Sequence, residues 1–232
     1  MGNFYLIGID YRDVNKGPIK LERLYARIKP DMVLSNQSQT EFEAMRDVFS
    51  SFSRELLQLT EDRPGIEKLM ESMSVHFGFE VLQNIEYAKR EQVQHHFVGM
   101  RRPMSERECL AFTNHLEFVL NYVGNVGVTK HLLETLDGMR GYNPTDEEVE
   151  QAWNMYMTLE RTLRNELVVL MRRANGSYGR SAKYTEERVR ELYDPSKVIA
   201  FPLGMGHATD SLTKSTLYSR IKDLKPERIP LI

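Results

Sequence analysis

The chain is poor in cysteine: Cys109 stands alone among 232 residues. No intrachain disulfide can form, and a reducing, intracellular and cytoplasmic setting is expected, with an organelle as the other compatible compartment. An excess of charge is also missing. The 31 basic and 33 acidic side chains nearly cancel, so no global field draws the chain to an anionic membrane or to nucleic acid, and no nucleic acid is expected among its partners. Long apolar runs are absent too. No segment approaches the roughly 20 apolar residues of a membrane span, and FYLIGI (4–9) is too short for a secretory core and has no basic flank. Met1-Gly2 opens like a myristoylation site, but Leu6 occupies the position where Ser or Thr is required. A soluble chain with no membrane span is expected.

What is present suits a packed interior. Hydrophobic residues make up 41% of the chain, enough for one domain spanning 1–232. FYLIGID (4–10) is short, apolar and closed by Gly and Asp, the pattern of a strand buried on both faces. Pro18 then opens a helix whose apolar residues Ile19, Leu21, Leu24, Tyr25 and Ile28 recur at helical spacing until Pro30. DMVLSN (31–36) reads as a second strand, so the first third of this pattern is a βαβ unit with parallel strands and a right-handed crossover.

Helix dominates the middle of the chain, about 40–193, with helices expected from Thr40, from Pro64, over GFEVLQNIEYAKRE (78–91), from Ser105 and over 128–139. QHHFVGM (94–100) interrupts as a strand. Pro144-Thr145 followed by three acidic residues predicts a long helix that could reach Arg173 and end at the Gly176–Gly179 loop. Thr185 is expected to cap a short helix to about Tyr193, KVIAFPL (197–203) to form a strand, and His207 to open a last helix to about Leu217. Together these predict an α/β fold: a small, mostly parallel central sheet built from βαβ units, with a large helical insertion covering it. The strand-to-glycine-to-helix units at the two ends suggest a weak internal duplication.

Ligands of open α/β sheets collect outside the carboxyl ends of the strands. Four segments are expected there: Gly8-Ile9-Asp10-Tyr11, Leu34-Ser35-Asn36, Gly99-Met100-Arg101-Arg102 and Gly204-Met205-Gly206-His207. Glycine permits a tight turn and a close backbone approach, so the last segment reads as a device that turns His207 toward a pocket, or as an ordinary turn beside a helix cap. Other histidines read more plainly. His95 and His96 alternate along a strand and point to opposite faces, which argues against a shared metal and for surface or sheet-edge histidines. His115 and His131 sit on helices with no second ligand four residues on. Methionines such as Met70, Met73, Met155, Met157 and Met171 read as core filler or an adaptable contact face. The basic cluster of Arg172, Arg173, Arg180, Lys183, Arg188 and Arg190 reads as a solvated face.

In order along the chain, FYLIGIDYRD, KPDMVLSNQ, GFEVLQNIEYA, VGMRRP and AFPLGMGHATDSL resemble the motifs of the TraB/PrgY family. That family is related to the Tiki metalloproteases, the GumN proteins and, more distantly, the erythromycin-esterase-like and ChaN-like proteins. Its first strand ends in G-x-x-H, its second in a glutamate after a Pro-Asp-hydrophobic run, a helix starts with G-x-E, a third strand ends in Asp-Arg, and the last ends in G-x-G-H. Here Gly78 and Glu80 match G-x-E, Arg102 before Pro103 matches the Asp-Arg element in part, and Gly204, Gly206 and His207 match the last motif. Three polar positions depart from the family: Tyr11 stands for its histidine, Asn36 or a neighbour for its glutamate, and Arg101 for its aspartate. Arg164-Asn165 resembles a further Glu-Arg-Asn/Asp element, with Leu163 at the acidic position.

The resemblance implies two readings. In the first, the chain is a metal-dependent peptidase or related hydrolase: Glu80 and His207 hold a divalent Mn, Co or Zn ion, while Arg102 and Arg164 serve catalysis. Gly8, Asp10, Tyr11, Asn36, Arg101, Gly204 and Gly206 then line the pocket. A hydrolytic metal wants about three carboxylate or neutral imidazole ligands and an open position. Tyr11 would have to lose a proton whose usual pKa is ~10, and Asn36 offers only a neutral carbonyl. Asp10 or Asp13 could substitute by a shift of register. Arg101 beside Arg102 favours an anion over a cation. The second reading therefore has a catalytically degenerate member that takes no cofactor. It binds a peptide, a protein partner or a small anion, or serves as a subunit of a homo- or hetero-oligomer. The sequence favours this second reading.

Overall fold

A computed structural model describes residues 3–10, 13, 16–40, 42–43, 79–99, 144–162, 176–210 and 216–232. Its contacts divide the chain into two compact units. Met1–Ser38, Phe79–Met100 and Pro144–Ile232 form one; Gln39–Gly78 and Arg101–Asn143 form the other. Of the second unit, helical residues 39, 40, 42 and 43 are described, so the remaining helices expected over 40–78 and 105–139 lie outside the described residues.

The first unit is built on a parallel sheet of β1 (Phe4–Ile9), β2 (Met32–Ser35), β3 (Gln94–Phe97), β4 (Ile199–Gly204) and β5 (Glu227–Pro230). The spatial order is β3-β2-β4-β1-β5, with every described pairing parallel. The apolar runs of β1, β2 and β4 are explained by burial on both faces. Leu6, Leu34, Phe201 and Leu203 point into one core, and Ile7, Ile9, Val33 and Ala200 into the other. Side chains thus alternate between the two layers along each strand.

On the second face pack α1 (Gly17–Ile28) and α2 (Phe79–Glu91) through Leu21, Leu24, Tyr25, Phe79, Tyr87 and Ala88. Pro18 lies in the first turn of α1, and Lys29 closes the helix in the left-handed region at φ 47° with its N–H on the Tyr25 carbonyl. The Phe79 ring crosses Gly17 so closely that an added Cβ would stand 2.5 Å from a ring carbon. The opposite face is covered by α4 (Gly176–Leu192) and α5 (Leu217–Ile221), which contribute Val189, Leu217 and Ile221. A further helix, α3 (Asp146–Thr162), starts with the expected cap: Thr145 and Glu148 exchange hydrogen bonds of 3.2 and 2.7 Å between side chain and backbone N–H.

Three expectations, at Gly176, Thr185 and His207, are corrected, and one strand, β5, stands beyond those expected. Gly176 opens α4 rather than ending a helix, and Thr185 lies inside α4, not at its cap. Ala182, Thr185 and Val189 recur at spacings of three and four and are all buried, so tertiary packing overrides the local breaker signal. His207 sits in a 3₁₀ turn, Met205–Ala208, and α5 starts only at Leu217 behind a Thr216 cap. Finally, β5 carries no apolar run. Its residues are exposed or half-buried, as an edge strand permits, and its closing Pro230 is tolerated there.

Candidate functional site

Because the strands are parallel, their carboxyl ends share one rim. Ile9 pairs with Gly204 and Ser35 with Phe97, and β4 lies between β1 and β2. Gly8, Asp10, Asn36, Gly204, Gly206 and His207 are therefore carried to the ends of three neighbouring strands. At β3, Gly99 donates its N–H to the Gln37 carbonyl at 3.0 Å. A Cβ at Gly99 would lie 2.5 Å from backbone carbon, so glycine is needed for this approach.

The rim at β1 and β4 is covered by α3. A Cβ at Gly8 would come within 2.5 Å of the Trp153 indole, and one at Gly206 would meet the Tyr156 ring at 3.6 Å. Val149, Trp153, Met205 and Ala208 form a small core of their own, with Tyr156 and Met157 packed against it. Charged contacts hold α3 at both ends. Lys20 donates to Asp13 at 2.8 Å and forms an ion pair with Asp146 at 2.7 Å. Glu160 accepts from Arg228 at 2.7 Å and from the Asp210 N–H at 2.8 Å. Arg228 also donates to the Ala208 carbonyl and lies over the Tyr218 ring, 4.0 Å from its centre. The Gly204-Met205-Gly206-His207 segment thus supplies a tight turn that receives a helix. Gly204 itself has φ −53°, open to any residue.

His207 is the third residue of that turn, which touches β1, β4, α3 and α5. Burial lowers its pKa, so the imidazole is held neutral, the form that ligates a metal. Glu80 is 4% exposed in the first turn of α2, on the α1 side, where its charge adds to the burial that raises the Tyr25 pKa. Asn36 accepts from the Thr185 hydroxyl at 3.4 Å. Tyr11, Arg101, Arg102 and Arg164 lie outside the described residues. Among the described residues no three His, Cys, Asp or Glu side chains gather in a group able to hold a metal ion. Glu80 and His207 each supply a suitable donor atom, but among the described residues neither belongs to a group of three such donors.

Asn84, one turn along α2 from Glu80, anchors a buried polar chain. The Tyr25 hydroxyl donates to Asn84 Oδ1; Asn84 Nδ2 donates to the Leu34 carbonyl at 2.9 Å and to Ser35 Oγ at 3.0 Å. Ser35 Oγ lies 2.9 Å from His95 Nε2. Ser35 Oγ accepts from Asn84 and either donates to the Nε2 lone pair of His95 or accepts from Nε2–H, according to the imidazole tautomer. A serine beside a histidine is a nucleophile-and-base pairing, but Ser35 is 0% exposed and no substrate reaches it. The chain serves packing. Sequence reasoning passed over Asn84, although a polar residue on the apolar stripe of α2, between Glu80 and Tyr87, is a visible signal.

His95 and His96 are confirmed on opposite faces: His95 meets Ser35, while His96 feels Arg188 of α4. Burial, with a smaller contribution from His96, pushes the His95 pKa down to about 4. Because this folded value lies below that of an unfolded histidine, the unfolded chain binds more protons between the two. Stability is therefore full above about pH 6.5 and falls as pH drops toward 4. The denaturant midpoint is expected to fall between pH 7.5 and 5, and to fall less in His95→Gln; equal drops would refute this assignment.

The chain matches no family model, no curated protein and no solved structure. Chemistry at the site therefore rests on its own residues. No described helix is long and apolar enough to cross a membrane.

Proposed function

We propose that the chain is a catalytically degenerate TraB/Tiki-like domain that binds a peptide, a protein or a small anion rather than hydrolysing a substrate. The observation that carries this reading is the seat of Trp153 against Gly8, with Tyr156 over Gly206. In an open α/β sheet, substrate would approach at these strand ends; here an amphipathic helix is packed over them and tied down by Lys20 and Arg228. Polar groups nearby are turned inward. Asn36 bonds Thr185, and Ser35 belongs to the Asn84 chain. An assembly role is the companion reading: on α3, Met155 is 54% exposed and offers an apolar contact beside the buried face.

The alternative, a Tiki-type peptidase, draws on one observation: His207 is kept neutral by burial. With a Mn, Co or Zn ion bound by Glu80 and His207, such a site would supply a metal-activated water. Incubating purified chain and unstructured peptides with each metal discriminates the two. Binding without turnover is expected. Cleavage that is abolished in both Glu80→Gln and His207→Ala would overturn the degenerate reading.

A further inference from the structure

We propose that a second site, a cleft between α1, the start of α3 and the exit of β5, binds a small molecule with a phosphate head. The cleft has a volume of about 240 Å³, with Lys20, Arg23 and Arg27 on one wall, Asp146 at one end and Pro230 and Leu231 opposite. None of its walls includes Glu80, Asn36 or His207, and the inference does not rest on the family reading above.

The two arginines are the unusual feature. Arg90 pairs with Glu22 at 2.9 Å, Arg190 with Asp223 at 2.8 Å, Arg220 with Glu186 at 3.3 Å, Arg228 with Glu160 at 2.7 Å, and Arg188 with Glu191. Among the described residues, Arg23 and Arg27 have no carboxylate partner. Their spacing of four, with Lys20 three residues earlier, puts all three side chains on one stripe of α1. Lys20 is held by Asp13 at 2.8 Å and Asp146 at 2.7 Å, and Lys16 stands 3.9 Å from Asp146, so two ammoniums balance the two carboxylates and Asp146 does not repel an incoming anion at full strength. Two guanidiniums without an ion-pair partner among the described residues remain; Ile232, whose terminal carboxylate offsets part of their charge, also lines the cleft.

Two planar forks one helical turn apart match the oxygens and double charge of a phosphate monoester better than a single carboxylate. The apolar wall of Pro230 and Leu231 receives the body of the molecule. The volume lies below the usual range for drug-sized ligands, which fits a compact phosphorylated compound and not a macromolecule.

Calorimetric titration of the full chain with phenyl phosphate, inorganic phosphate and benzoate tests this. Phenyl phosphate is expected to bind saturably and tightest, with affinity falling as salt rises. Affinity should drop about tenfold or more in the double variant Arg23→Gln/Arg27→Gln and stay unchanged in Arg90→Gln, all three chains having the same circular dichroism. Absence of saturable binding, or equal affinity in the double variant, would overturn the proposal. Tighter binding of benzoate would overturn the phosphate head, and equal binding of inorganic phosphate would overturn the role of the apolar wall. Loss of this binding leaves the hydrolysis experiment unaffected, so the two readings fail separately.

Discussion

Gly8→Ala is expected to destabilise the first unit by about 1–3 kcal/mol, because the new methyl group must displace a buried ring. Gly8 is ordinary strand backbone, paired with Leu203 on one side and Pro230 on the other, so alanine brings no conformational penalty. The cost comes from Trp153 alone, whose ring carbon would lie 2.5 Å from the added Cβ. Trp153 is 9% exposed, and its removal in Trp153→Ala should cost about 3–5 kcal/mol, the usual toll of emptying an aromatic site. Urea unfolding followed by circular dichroism measures both. A stable Gly8→Ala chain would mean that α3 does not rest on β1.

Asn84→Leu carries the second large effect. The substitution keeps the volume but leaves the Tyr25 hydroxyl, Ser35 Oγ and the Leu34 carbonyl without the partner they now share. Each buried group so stranded costs about 1–3 kcal/mol, and a total of roughly 2–5 kcal/mol is expected, since Ser35 keeps His95 as a partner. The pattern across variants separates this cause from simple misfit. Adding Tyr25→Phe to Asn84→Leu removes the stranded hydroxyl, so the second change should cost less in that background than in the wild type. Equal costs in the two backgrounds would contradict a shared polar chain.

Much of the architecture was legible because the central strands have only one environment. Residues buried on both faces must be apolar at every position, so β1, β2 and β4 announce themselves, and α1 and α2 follow from their apolar stripes and end signals. Edge elements gave less away. The ERIP sequence of β5 resembles a loop because half of it faces water, and the Gly-Ser-Tyr-Gly start of α4 resembles a break because its helix is enforced by distant packing. At the site, the glycines of Gly8 and the Gly204–Gly206 turn flagged a close approach, but nothing local says by what. The approaching groups, Trp153 and Tyr156, lie far along the chain, on a helix whose methionines read as core filler or an adaptable contact face. The partnered Lys20 and the unpaired Arg23 and Arg27 likewise differ only in three dimensions; along the chain they are three basic residues at helical spacing.

The central claim is that the strand rim is filled by the protein's own helix, and the coupling energy between Gly8 and Trp153 tests it most directly. A double-mutant cycle of Gly8→Ala and Trp153→Ala should show that the alanine at position 8 is costly with the indole present and nearly free without it, a coupling of about 1 kcal/mol or more. If Gly8→Ala costs the same in both backgrounds, the indole does not occupy the rim, and the mouth is open to a substrate.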